Sequence, residues 1–320
     1  MYQERGTSSI MHTQFRLAVV GLAVLALAAC SGNGSSLPGP VQAGQSITHR
    51  GVSIGTGGVD ATKVHIMRTA GSQPLVITAP QTLKYGGGAV EHKTIVYVVY
   101  WGFNVAGSDP SNEQPYLTSF LNGVGGSAWM NTTHQYYEIV NSITKHIRNK
   151  AGMLKGTWVD SSSVPSAPTT AQVQAEAANA EAHFGFNKDA SYVVATPHGH
   201  NTPGFGTQFC AFHGAALSGG GEISYTDLPY MTDAGSSCGE NFVNPGSKGT
   251  LDGVSIVEGH EFAESQTDPH PSNGWYNFQY GEIGDICAWM DLADTTLTTG
   301  SFAVQPLWSN AVSACVLHSP

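Results

Sequence analysis

His260, Glu261 and Glu264 fall in the stretch EGHEFAESQTDPHPSNGW, Glu258 to Trp275. Zinc hydrolases commonly carry H-E-x-x-H on a helix, where two imidazoles hold the ion and the glutamate takes a proton from water. This chain reads H-E-x-x-E. On a helix His260 and Glu264 stand one turn apart on one face, so both can hold a single cation. Glu261 lies about 100° further round, within reach of a water at that cation. The spacing therefore predicts His260 and Glu264 as metal ligands and Glu261 as general base. The plain alternative is a solvated helix face with one histidine and two glutamates. Gly253, Val254, Ile256, Val257, Gly259, Phe262 and Ala263 argue against it. They predict a buried helix, and buried charge needs a partner or a metal.

A catalytic zinc needs a third protein ligand. The stretch GEIGDIC offers Glu282 and Asp285, between which the sequence does not choose. Either could equally be a cap or an ion-pair partner. His270 follows His260 at the metzincin spacing, but Thr267 stands where those enzymes need a glycine, and Pro269 and Pro271 flank it. It ranks behind the two acids. His198, His200 and His213 cluster in TPHGHNTPGFGTQFCAFHG. The first two read as exposed loop residues, whereas His213, close to Cys210, is a candidate to orient substrate or stabilise an oxyanion. No G-x-S-x-G stands between a strand and a helix, since GVSIG, Gly51 to Gly55, lies in a weakly patterned segment. No P-loop or G-x-G-x-x-G after a strand occurs either, so serine-hydrolase and nucleotide chemistry lack support.

The elements that must position these residues follow from pattern. Asp252 is placed to cap a helix running to about Gln266 and stopping before Pro269. Thr94–Trp101 is β-branched and aromatic, which predicts a strand buried on both faces. QPYLTSFLNGV has helical spacing, and QYYEIVNSI fits strand or helix. TTAQVQAEAANAEAHFGF predicts a helix over Thr170–Phe184 with a threonine cap. ASYVVATP predicts a second buried strand and GEISYTDLPY a more exposed one. Alternating strands and helices give an α/β (α+β) class, a zincin-like mixed sheet packed with helices in one disulfide-bonded domain over 84–320.

The chain has 320 residues and a net charge of −10, a balance that disfavours a nucleic-acid partner. MHTQFRLAVVGLAVLALAAC has a basic start and an apolar run from Leu17 to Ala29, shorter than the ~20 residues of a membrane span. Residues 1–30 therefore read as a signal peptide, with Met11 as an alternative start. LAAC, Leu27 to Cys30, resembles a lipobox, which makes Cys30 the lipidation candidate and the membrane a partner through that anchor. The expected location is the bacterial cell envelope. Residues 31–83 read as a flexible tether followed by a weakly patterned wrapping segment. Cys210, Cys238, Cys287 and Cys315 remain. An even number in an exported chain suggests two disulfides. Of the three pairings, the sequential one, Cys210–Cys238 and Cys287–Cys315, is favoured.

From about Tyr85 to Cys315 the chain resembles the EXORDIUM, or phosphate-induced protein 1, family of plant extracellular proteins and their bacterial relatives. YGGGAV with TIVYVVYWG is similar to that family's Y-x-G-G-P-V and following apolar strand. FCAFHG, LDGVSIVEGHEFAESQTDP, NGWYNFQYGEIGDIC and FAVQPLWSNAVSAC follow in the family's order. The resemblance carries over His260, Glu261, Glu264, Glu282, Asp285, Cys287 and Cys315, but not His270. It implies that Glu264 belongs to the pattern and is no damaged histidine. The expectation is an extracytoplasmic metallohydrolase using one zinc ion, a peptidase acting on a peptide or protein. Two alternatives stand beside it. One is a non-catalytic surface protein binding polysaccharide or a protein partner, with Trp101, Trp129, Trp275, Tyr276, Trp289 and Trp308 as a sugar platform. The other is a calcium clip.

Overall fold

Six strands built from β-branched and aromatic runs form the central sheet of the computed structural model, which describes residues 64–71 and 82–319. They are β1 (Val64–Arg68), β2 (Ile95–Trp101), β3 (Leu154–Asp160), β4 (Ala190–Ala195), β5 (Phe209–Leu217) and β6 (Glu222–Leu228). Their order across the sheet is β1-β5-β6-β4-β2-β3. Strands β3, β2, β4 and β6 run parallel, while β5 is antiparallel to both β6 and β1.

Helices cover both faces, which is why the central strands are apolar throughout. Along β2, Val96, Val98 and Tyr100 enter one core, and Val99 and Trp101 the other. Helices α1 (Glu113–Val124) and α3 (Asp252–Thr267) supply the first core, and α2 (Thr170–Phe184) the second. Helix α2 has the expected bounds. Thr169 caps it in a reciprocal pair with Gln172, which satisfies donors that a helix start leaves open.

Three expectations change and one left open is settled. Asp252 is the first helical residue of α3 and not its cap. Its carboxylate instead accepts the backbone N–H of Val243 and Asn244, at 2.9 and 2.7 Å, and so pins the preceding loop. Strand β6, expected to be exposed, is buried except at Glu222, because it lies inside the sheet between β5 and β4. QYYEIVNSI resolves as strand, a hairpin of Tyr137–Val140 with Ile143–His146. Lastly, the folded body begins upstream of 84. Val64–Arg68, assigned to the segment before the domain, form β1 against β5.

Both disulfides form with the sequential pairing, Cys210–Cys238 and Cys287–Cys315. Such bonds persist in oxidising compartments. Among the described residues no helix is long and apolar enough to cross a membrane. The signal peptide of residues 1–30 and Cys30 lie outside the described residues.

Candidate metal centre

All sixteen residues of α3 are buried, charged ones included. Its polar side chains must therefore find partners inside the protein. One end of the helix meets them through three other elements. Strand β5 brings His213, since alternation sends Phe212 to the α2 side and Ala211 and His213 to the α3 side. Strand β1 sets His65 opposite His213 in register. The loop after α3 brings Glu282 and Asp285. Gly284 allows that loop to lie on His260, since a Cβ there would stand 2.7 Å from Nδ1 of the ring.

These residues converge. His260 Nε2 is 3.1 Å from Glu264 Oε1 and 3.7 Å from Asp285 Oδ1. Ligand atoms held at about 2.1 Å around a tetrahedral ion lie about 3.4 Å apart, and these distances bracket that spacing. His65 Nδ1 lies 3.1 Å from Asp285 Oδ2, 3.7 Å from Glu264 Oε2 and 3.8 Å from Glu282 Oε1. The sequence left Glu282 and Asp285 as alternatives; both reach the cluster. His65 side-chain exposure is 27% and that of Asp285 17%, against none for His213, His260, Glu261, Glu264 and Glu282. The cluster therefore comes nearest the surface at His65 and Asp285, although His65 Nδ1 itself is buried.

The donor set fits a cation. His65 Nδ1, His260 Nε2, Glu264 Oε2 and both carboxylate oxygens of Glu282 are buried without a hydrogen-bond partner. Such groups are costly unless something binds them. Imidazole with carboxylate suits zinc and similar transition metals. Glu264 Oε1 also accepts the N–H of Gly284 and Asp285, at 3.2 and 3.0 Å, which ties the loop to the helix.

Without a cation the charges sort themselves unevenly. Burial would lower the His260 imidazole, but Glu264 outweighs it and the ring is raised to about 9. Burial would likewise raise Glu264, and His260 and His65 reverse this, holding it well below the usual carboxylate range. Glu282 is pushed well above that range by burial; Asp268, Glu264 and Asp285 add to this and His65 opposes it. Burial also raises Glu261, against the hydrogen bond from His213.

Glu261 is held on both oxygens. Oε1 accepts the N–H of Met67 at 3.2 Å, and Oε2 faces His213 Nδ1 at 3.1 Å. His213 Nε2 faces the Asp268 carbonyl at 3.3 Å and Glu282 Oε2 at 3.4 Å. Expected to meet substrate, His213 stands instead behind Glu261 with no exposure, so in this arrangement it positions that carboxylate. His270 lies apart, beside Glu222. His198 faces Asp233, and His200 faces the Pro165 carbonyl.

Sequence reasoning missed two members. His65 sat in the weakly patterned wrapping segment, where the five residues VHIMR were too short a signal to announce a strand. Gln305, in FAVQPLW, faces His260 Nδ1 with Oε1 at 3.3 Å.

No family model matches the chain, and neither a curated protein nor a solved structure matches it. Fold and site together define a disulfide-bonded α/β protein with a mixed six-stranded sheet and a buried cluster of histidines and carboxylates.

Proposed function

We propose that this is an extracytoplasmic zinc-dependent metallohydrolase, a zincin-like peptidase related to the EXORDIUM group and anchored to the cell envelope through Cys30. The carrying observation is the convergence of His260, Glu264 and Asp285, whose ligand atoms lie within 4.8 Å of one another beside Glu261. His260, Glu264 and Asp285 hold the zinc. When bound, the ion supplies Lewis acidity, polarising a carbonyl and making water easier to deprotonate.

The chain's own groups do the rest. Glu261 takes the proton at Oε2, and His213 keeps that carboxylate in place through Nδ1. The surface nearest the cluster, at His65 and Asp285, lies beside β1, which is an edge strand of the sheet among the described residues. An extended peptide suits such an edge, because main-chain hydrogen bonds can align it along the strand. The sugar-platform alternative has less to stand on: Trp101, Trp129, Trp275 and Trp308 are core residues, leaving Tyr276 and Trp289 half-buried.

The test is elemental analysis of the purified full chain with a peptide-library assay of wild type and Glu261→Gln. Zinc in both proteins and hydrolysis in the wild type alone is the expected result. A metal-free wild type under zinc-replete conditions, or full activity in the variant, would overturn the reading.

A further inference from the structure

We propose that the cluster is built for two divalent cations, the second held by His65 and Glu282 and bridged to the first by Glu264 and Asp285. This deepens the reading above and rests on it, because the second ion shares carboxylates with the first.

The geometry is a double bridge. Glu264 presents Oε1 to His260 Nε2 at 3.1 Å and Oε2 to His65 Nδ1 at 3.7 Å. Asp285 does the same, with Oδ1 3.7 Å from His260 Nε2 and Oδ2 3.1 Å from His65 Nδ1. Each carboxylate thus turns one oxygen to each imidazole. Paired ions in hydrolytic centres lie about 3.5–4 Å apart, a span that bridging carboxylates cover. The second position has its own terminal carboxylate, since Glu282 Oε1 lies 3.8 Å from His65 Nδ1.

Two further observations agree. An ion at His260, Glu264 and Asp285 answers the open His260 nitrogen but leaves His65 Nδ1 and both oxygens of fully buried Glu282 with ion-pair neighbours and no hydrogen-bond partner. A second ion answers His65 Nδ1 and Glu282 Oε1. The charge also balances. Glu261, Glu264, Glu282 and Asp285 bring four carboxylates together, and among the described residues their ion-pair partners are histidines alone. With these four ionised and the imidazoles neutral, as ligation requires, one divalent ion offsets two of the charges and a second offsets the other two, with Asp268 beside Glu282 as a further carboxylate. The ligands are nitrogen and oxygen, so Zn2+ or Mn2+ is the class of ion that fits. Strand β1 is then part of the centre and not a covering segment.

The purified full chain, loaded with Zn2+ and desalted, is expected to carry two ions by elemental analysis. Loaded with Mn2+, it is expected to give the electron paramagnetic resonance signal of a coupled pair. His65→Ala and Glu282→Gln should each reduce the count to one and abolish the coupled signal, with the far-ultraviolet circular dichroism unchanged. One ion in the wild type, or two in either variant, overturns the second site and leaves the proposed hydrolase standing. No ion in the wild type overturns both.

Discussion

Gln305 fixes which nitrogen His260 offers to the cluster. The Gln305 Nε2 donates to the Gly284 carbonyl at 2.8 Å, so its Oε1 is the atom left to face His260 Nδ1 at 3.3 Å. An acceptor there favours the proton on Nδ1, so that in the neutral ring a cation requires, Nε2 is the bare nitrogen toward Glu264 and Asp285. Outer partners of this kind are worth roughly 10–100-fold in metal affinity. Gln305→Leu is expected to weaken zinc binding by about that factor, read by competition with a chromophoric chelator. An unchanged affinity would show that the tautomer is set elsewhere.

Gly284 makes a different demand, for space. A methyl group there would stand 2.7 Å from Nδ1 and 2.9 Å from Cγ and Cε1 of the His260 ring. The ring is fully buried and cannot swing aside into solvent. Gly284→Ala should therefore displace either the imidazole or the loop bearing Asp285, costing about 1–3 kcal/mol as overpacking does. Thermal unfolding with and without zinc checks this: the variant should lose stability and most of its zinc-induced rise. A zinc-induced rise equal to wild type would mean that the loop yields without disturbing the ligands.

The sequence was informative where residues act locally. The α2 cap, the apolar run of β2 and the one-turn spacing of His260 and Glu264 depend on near neighbours, and each is present as read. Asp252 shows the limit: a cap-type residue at a helix start was drawn instead to Val243 and Asn244, a loop pairing that local preference cannot express. The exposure of β6 was misjudged because burial of a strand depends on its place in the sheet, which alternation alone does not give. His65 was invisible for a stronger reason. Its role arises from β1 pairing with β5 in a register that sets it opposite His213, almost 150 residues away. No short spacing records that contact.

The two disulfides separate stability from metal binding. Each links cysteines 28 residues apart, and closing a loop of that size is worth about 3–4 kcal/mol by chain entropy. Cys287 lies two residues beyond Asp285 and ends the loop that carries both acids. Cys210 lies on β5, where His213 is already held by pairing with β1 and β6. Serine replacement of either pair is expected to lower unfolding stability similarly, measured in denaturant. Only the Cys287–Cys315 replacement should also weaken zinc binding, by about tenfold or more. Equal zinc affinity in the two double variants would show that the disulfide does not support the loop.

A last prediction concerns Glu113, well away from the cluster. Its carboxylate is buried and accepts the N–H of Met231 at 3.0 Å and of Thr232 at 2.8 Å. Burial nevertheless dominates and pushes the group up to about 7; the bonds from Thr232 and Met231 oppose this, while nearby Asp109 adds to it. Asp109 in turn accepts the Tyr230 hydroxyl and the backbone N–H of Glu113 and Gln114, so it stays as a fixed neighbour. A folded value above the unfolded one means that the folded state keeps its proton longer. Below about pH 4.5 both states are protonated and the group contributes no slope. Between about pH 4.5 and 7 the unfolded chain ionises first, so stability falls as pH rises, by about 3 kcal/mol in total, and then levels off. Glu113→Gln cannot ionise, though it loses one of the two accepted hydrogen bonds at a cost of about 1 kcal/mol at every pH. Denaturant unfolding of both proteins from pH 4.5 to 8 should therefore show the variant less stable at the acidic end and more stable at the basic end. Parallel curves would show that Glu113 titrates alike in the folded and unfolded chain.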